Sequence, residues 1–329
     1  MATISNRRNK WQARVRRNGQ PTITKTFLTK QDAEKWARSI EIELDRGTYI
    51  NKSTAERTQF KDILQQYLTS VIPSMRSNKD EGIRVRRLMR HPIAQYNMAQ
   101  LSPRHMANYR DERLKVIKPN TVIRELAVMS SIINHSRREW GLNITNPVTM
   151  IKKPSSTPGR NRILNDVEIN RILNVLKNTR GTFHNNYMAP LVEFAIETAM
   201  RRSELTSLRW ENVNLISRVA YLPLTKNGDS RYVPLSSKAI SILNKLPRTI
   251  DGRVFPLKTN SVSLNFLRAS RKADIPDIHF HDLRHIALTR LSSKISNVLE
   301  LAAISGHREL KMLQRYTHIK AEDLVQKLG

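Results

Sequence analysis

Ile304-Ser305-Gly306-His307-Arg308-Glu309-Leu310-Lys311-Met312-Leu313-Gln314-Arg315-Tyr316-Thr317-His318 is the stretch on which the fold of the chain's C-terminal half turns, and its reading depends on one glycine. His307 and Tyr316 are nine positions apart. On one unbroken helix that spacing rotates the second side chain by about 900° and leaves the pair on opposite faces. Gly306, however, is a natural C-terminal cap for a helix spanning 298–305. His307 then falls in a turn, a second helix carries Tyr316, and the two side chains can converge.

Two upstream clusters have the same character. In Glu197-Thr198-Ala199-Met200-Arg201-Arg202-Ser203-Glu204-Leu205, Glu204 lies three residues after Arg201 and shares its helical face. That spacing fits a pair that holds the guanidinium in place, and it also fits an ordinary surface pair. In His279-Phe280-His281-Asp282-Leu283-Arg284-His285, His281 and Arg284 again share a face. His279, His281 and His285 can also be read as metal ligands, but Arg284 beside them would repel a cation and no partnering glutamate fits a hydrolase motif.

The whole-chain balance says what such clusters would act on. The 329 residues carry 57 lysines and arginines against 28 acidic residues, a formal net charge of +29, with a pI near 10.9. The partner expected of such a chain is a polyanion, and double-stranded DNA leads, because each neutralised phosphate releases condensed counterions. No run of about 18 apolar residues suggests a membrane partner, and no signal-peptide core is seen, so a cytoplasmic location is expected. With no cysteine in the chain, disulfides, thiolate zinc sites, iron–sulfur clusters and cysteine nucleophiles are excluded. Covalent chemistry must use a hydroxyl, amine, carboxylate or histidine.

A hydrophobic fraction of 39% with only 10 glycines predicts a mostly helical globular chain: mainly α with small β elements (α+β). Three segments are expected. In 1–57, residues up to 27 contain seven basic side chains and no acidic one. Alternation around Trp11, Ala13 and Val15 and an Asn18-Gly19 turn signal read as a basic β-hairpin. Thr29 and Asp32 then open a helix with Ala33, Trp36, Ala37, Ile40 and Leu44 on one face. Segment 58–157 reads as all-α, with helices over 60–71, 79–90, 103–115 and 120–140, and Ser102-Pro103 as a good helix start. A basic Pro/Ser/Gly stretch over 152–160 reads as a linker. Segment 158–329 mixes helices over 166–177, 187–198 and 201–208 with a hairpin, 218–224 and 231–235, joined through Asn227-Gly228.

Taken in order, Arg201, Lys226, His281, Arg284, His307 and Tyr316 closely resemble the active-site set of the tyrosine recombinase (phage integrase) family, over about 160–320. The resemblance makes Arg201 the family's first arginine, His281 and Arg284 its His-x-x-Arg element, His307 the histidine of its Leu-Gly-His element, Lys226 its hairpin lysine and Tyr316 the nucleophile. Ala199 departs from the usual glycine beside the first arginine, and Ile304-Ser305 from the usual Leu before Gly-His; both are expected to affect packing more than charge. The stretches 279–285 and 303–318 are especially similar to shufflon-type DNA invertases. The N-terminal half resembles an arm-type DNA-binding module (1–57) and a helical core-binding domain (58–157) preceding the catalytic domain (158–329). Candidate DNA contacts are Arg7, Arg8, Lys10, Arg14, Arg16 and Arg17 on the hairpin and Arg84, Arg86 and Arg87 on a helix face. A solvated helix face is the even-handed alternative for the last three.

The resemblance implies site-specific strand exchange through a covalent 3′-phosphotyrosine. Arg201 and Arg284 would clamp the scissile phosphate, His281 would be the general base and Lys226 the acid for the leaving 5′ oxygen. Retaining the ester removes any need for ATP or metal, so no cofactor is expected, in keeping with the absence of a G-x-x-x-x-G-K-[ST] loop. It further implies a homotetramer on two duplexes, with 321–328 as a short helix packing on a neighbouring subunit or back on its own. It also leaves room for a DNA-bending host factor and an excision factor. Integration or excision of a phage or mobile element leads. The alternatives are an invertase of the same chemistry, a non-catalytic architectural DNA-binding protein, a type IB topoisomerase and a metal-dependent transposase.

Overall fold

The computed structural model describes residues 2–17, 22–46, 53–158, 162–178, 185–223, 230–295, 297–314 and 316. The chain is mainly α-helical with two small antiparallel sheets, and it divides into two compact units, Met1–Gly159 and Arg160–Gly329.

In the first unit, β1 (Ala2–Arg7), β2 (Lys10–Val15) and β3 (Ile23–Phe27) form a sheet in that order. The expected hairpin is thus a three-stranded sheet. Its first turn is Arg8-Asn9, with φ of 50° and 60°, the left-handed pair that a two-residue type I′ turn requires. The expected Asn18-Gly19 turn lies outside the described residues. Helix α1 (Lys30–Asp45) starts where the Thr29 hydroxyl accepts from the Asp32 N–H at 3.2 Å. Its buried residues Ala33, Ala37, Ile40 and Leu44 cover Ala13 and Val15 of β2, with Trp11, Phe27 and Trp36 at the margin. The other face of the sheet is a polar ladder in which Arg7 opposes Lys10, Gln12 lies between Ser5 and Thr26, and Arg14 between Thr3 and Thr24. Arg17 pairs with Asp45 at the end of α1.

The helical segment of this unit holds α2 (Ser53–Arg57), α3 (Phe60–Ser70), α4 (Asn78–Met89), α5 (Pro103–Leu114) and α6 (Pro119–Glu139). They close over one core that includes Phe60, Leu64, Leu88, Met106, Leu126, Met129 and Ile132. Ser102 caps α5, its hydroxyl 2.8 Å from His105 Nδ1, with Pro103 as the first helical residue. Glu125 is buried on α6 and accepts from the Tyr109 hydroxyl and from Nε and Nη2 of Arg113, each at 2.9 Å. Arg113 therefore braces the bundle. On α4, Arg87 also approaches Glu125 at 3.7 Å and Arg84 pairs with Glu81 at 3.3 Å, while Arg86 is exposed.

The second unit is organised around α8 (Asn185–Thr198), which packs against α7 (Asp166–Asn178), α10 (Ser237–Asn244) and α12 (Asp282–Ser292). Tyr187, Leu191, Val192, Phe194 and Ala195 of α8 belong to a large core that also holds Phe255, Phe266 and Leu283. The sheet β4 (Val213–Asn214), β5 (Val219–Leu222) and β6 (Arg231–Pro234) contains the expected hairpin in shortened form plus one added strand. Its connecting turn, with Lys226 and Asn227-Gly228, lies outside the described residues. Short helix α9 (Arg202–Ser207), α11 (Thr259–Lys272) and α13 (Val298–Ser305) complete the unit. Gly306 ends α13 in the left-handed conformation, φ 67° and ψ 40°. Among the described residues, the segment expected as a helix carrying Tyr316 shows a single 3₁₀ turn, Leu310–Met312, after which the Tyr316 N–H bonds to the Leu313 carbonyl at 2.8 Å. Segment 321–328 lies outside the described residues. Among the described residues no helix is long and apolar enough to cross a membrane.

Candidate active site

Two arginines, Arg201 and Arg231, share one buried carboxylate in the second unit. Glu204, 2% exposed, accepts from the Arg201 backbone N–H at 2.8 Å, from Arg201 Nη1 at 2.9 Å, and from Arg231 Nη1 and Nη2 at 3.3 and 2.9 Å. The pair suggested by sequence is therefore buried and shared, not a surface contact. Arg201 stands at the N-cap of α9 in extended conformation, which frees its side chain to turn back toward α13. There its Nη2 donates to the Gly306 carbonyl at 2.8 Å.

Arg284, on α12 and 4% exposed, donates from Nη1 to the Ala199 carbonyl and from Nη2 to the Ser305 carbonyl, both at 2.6 Å. These carbonyls lie at the C-terminal ends of α8 and α13, where unsatisfied oxygens and the helix dipole concentrate negative potential. Two helix ends thus replace the carboxylate that a buried arginine would otherwise need. Burial, and then repulsion from Arg201 and Arg231, pushes the Arg284 pKa down to about 9, which leaves it charged at neutral pH.

Ala199 pays this geometry in backbone strain: its φ is 51°, a conformation costing a non-glycine residue roughly 1–2 kcal/mol. The departure noted at this position is a matter of backbone conformation more than packing. Ser305 also gains a role. Its hydroxyl donates to the Leu301 carbonyl at 2.6 Å and lies 2.7 Å from His307 Nδ1. Arg284 Nη2 stands beside the same imidazole, 3.3 Å from Nδ1 and 3.4 Å from Nε2. Burial, and then Arg284, Arg201 and Arg231, push His307 down to about 4, so the ring is neutral at pH 7.

The structure brings Arg201, Arg284 and His307 into this one network. His281 is the exposed N-cap of α12 and lines, with Arg201, Arg202, Asn260 and His279, an open cleft of ≈ 720 Å³. The Tyr316 hydroxyl is hydrogen-bonded to His285 Nδ1, with the two rings stacked at 6.0 Å. The phenol also packs on a cluster of Ala199, Ala287, Leu288, Leu301 and Leu313. Lys226 lies outside the described residues.

A phage integrase family model matches residues 162–323. A shufflon-specific DNA recombinase of Escherichia coli is 41% identical over 80% of this chain and 70% of its own length. A Haemophilus influenzae protein described as a putative integrase/recombinase is 36% identical over 100% of this chain and 91% of its own. The chain belongs to the phage integrase family. It is a tyrosine-type site-specific DNA recombinase. The fold agrees: a lambda integrase tetramer bound to a Holliday junction superposes with a TM-score of 0.64 over 93% of this chain and 95% of that one, at 18% identity.

Two residues of this cluster, Arg231 and His285, carry little signal in the sequence. Arg231 was visible in principle, because it shares strand parity with Val233 and Leu235, both buried; a charged residue in an inward-facing register needs a partner. It has one in Glu204, and Nη1 also donates to the Ser305 carbonyl at 3.1 Å. Sequence offers His285 only as a metal ligand. Among the described residues no group of three His, Cys, Asp or Glu side chains forms a metal site.

Proposed function

We propose that this integrase family member cuts and rejoins duplex DNA through Tyr316, forming a 3′-phosphotyrosine and releasing a 5′ hydroxyl. The observation that carries the reading is the convergence of Arg201, Arg284 and His307 on one network, with the Tyr316 phenol on the adjoining face of α12. A phosphodiester under attack gains charge on its non-bridging oxygens, so fixed donors are what catalysis requires. A guanidinium carries five N–H groups. Among the described residues, Arg201 uses two, on Glu204 and Gly306, and the rest are available to phosphate oxygens. Arg284, which donates to the neighbouring Ser305 carbonyl, adds a second fixed positive charge. An arriving phosphate anion also favours protonation of His307, turning it from an acceptor into a second donor. His281, at the rim of the cleft, reaches substrate from the exposed side, and Lys226 protonates the 5′ oxygen.

In this reading residues 158–329 are catalytic, 58–157 bind the crossover site, and 1–57 bind accessory sites through the ladder of Arg7, Lys10 and Arg14, with Arg8, Arg16 and Arg17 beside it. Arg84, Arg86 and Arg87 add phosphate contacts. The working assembly is a homotetramer on two duplexes, integrating or excising a mobile element with a DNA-bending host factor and an excision factor. Inversion is the second reading, favoured by the 41% identity to the shufflon-specific recombinase. Plasmids carrying the crossover sites in direct or inverted orientation separate the two outcomes. The mechanism is tested with a nicked suicide duplex: the native chain should form a covalent adduct and Tyr316→Phe should not, and an adduct in that variant refutes the nucleophile.

A further inference from the structure

The Tyr316 hydroxyl must lose its proton as it attacks phosphorus, and unassisted ionisation is costly. A phenol with a pKa near 10 is roughly 0.1% ionised at pH 7. A proton acceptor must stand within hydrogen-bond reach of that hydroxyl. His281, by its place in the His-x-x-Arg element, is the residue that sequence nominates. In the structure the hydroxyl is instead bonded to Nδ1 of His285, one helical turn further along α12. The imidazole and phenol planes lie within 26° of each other, and the His281 ring stands edge-on to His285 at 5.5 Å, toward the cleft. His285 is held in this orientation by α12, whose neighbouring residue is Arg284. The base and the phosphate clamp therefore share one rigid element.

We propose that His285 takes the phenolic proton of Tyr316 during strand cleavage and returns it during rejoining. The inference rests on the reading of Tyr316 as nucleophile. The Tyr316 O–H bond breaks with its proton passing to Nδ1, while the oxygen forms the bond to phosphorus. The bond from phosphorus to the 5′ oxygen breaks, and that oxygen leaves with the electron pair and is protonated by the acid, Lys226 in the reading above. In rejoining, a 5′ hydroxyl attacks phosphorus and returns its proton to the amine that acted as acid, the phosphotyrosyl bond breaks, and the imidazolium of His285 gives its proton back to the departing phenolate. The groups facing His285 are Tyr316 on the C-terminal turn, His281 on its own helix, and His307 on the turn after α13. Beyond His307 lies the guanidinium cluster of Arg201, Arg231 and Arg284. That positive field bears on Arg284's neighbour and on the phenol alike, and a developing phenolate is stabilised by it.

The test is single-turnover adduct formation by the full-length protein on the suicide duplex, across the acid to mildly alkaline range, with His285→Asn, His285→Ala and Tyr316→Phe. Asparagine preserves a polar partner for the phenol but accepts no proton, so at neutral pH it should slow cleavage by about 10²–10⁴-fold, the usual worth of general-base catalysis. Its rate should climb with pH as the phenolate fraction rises, where the native rate levels off. Added imidazole should partly restore His285→Ala. Native rate and pH profile in His285→Asn overturn the proposal, as does a pH-independent loss without imidazole rescue, which marks a positioning role. Faster cleavage in His285→Ala also overturns it, by showing that the bond holds Tyr316 back. Unfolding midpoints and duplex affinity identify any variant that misfolds, and the remaining folded variant then decides. An adduct in Tyr316→Phe would instead refute the nucleophile assignment on which the inference rests.

Discussion

Replacing Glu204 by glutamine should destabilise the second unit far more than loss of one charge on a surface would. The carboxylate accepts four hydrogen bonds, two at each oxygen, all from Arg201 and Arg231. An amide keeps one oxygen and presents an NH₂ in place of the other. Whichever way it is turned, two bonds are lost and donors face donors. The side chain is 2% exposed, so water cannot compensate, and breaking a buried ion pair costs about 3–5 kcal/mol. For a domain of this size, roughly 2–4 °C per kcal/mol places the fall in Tm at roughly 6–20 °C. Calorimetry and urea unfolding of the full chain measure it. The cycle with Arg231→Leu sharpens the argument, because removing both partners relieves the uncompensated charge: Glu204→Leu with Arg231→Leu should be more stable than Glu204→Leu alone. DNA cleavage should not recover in the double variant, since Arg201 has lost its brace. An unchanged midpoint in Glu204→Gln, or additive effects in the cycle, would refute a network centred on this carboxylate.

Three further outcomes follow from the same geometry. His307 has a folded pKa near 4 against about 6.5 unfolded, so in that window the unfolded chain binds the extra proton and stability falls as pH drops from about 6.5 through about 4. Urea titrations of the native chain and His307→Gln should diverge there and run parallel above pH 7. Gly306→Ala places a Cβ against the Arg231 guanidinium in a left-handed backbone; it should cost about 1–2 kcal/mol from the backbone alone and slow cleavage, read by unfolding and adduct assays together. Neutralising Lys10 or Arg14 should weaken binding to accessory duplexes and reduce the salt slope by about 1 per phosphate contact, with adduct formation on a short crossover duplex unchanged.

What could be read in advance was whatever local chemistry decides. Thr29, Ser102-Pro103 and Gly306 mark helix ends because a cap or a left-handed residue has few substitutes, and each stands where the pattern places it. The Arg8-Asn9 turn escaped because its positive φ values are carried without glycine, and with it went the first strand. Among the described residues the stretch before Tyr316 is a 3₁₀ turn, and the phenol and Leu313 sit in the cluster with Ala199 and Leu301, a long-range packing that local periodicity does not encode. The Arg201, Arg284 and His307 clusters were recognisable as motifs. Their shared use of helix-end carbonyls was not, since Ala199 and Ser305 contribute backbone oxygens that any residue could supply.

Arg284 ties the tail of one helix to the tail of another more than 100 positions away in the chain. The side chain that would grip the substrate is therefore also a rivet of the empty protein. A knockout made by truncating it would loosen the scaffold along with the chemistry and confuse a dead enzyme with an unravelled one. On the proposed reading the phenolic oxygen of Tyr316 is the better target, since its removal takes away a single atom and one hydrogen bond to His285 and leaves the helix ends tied.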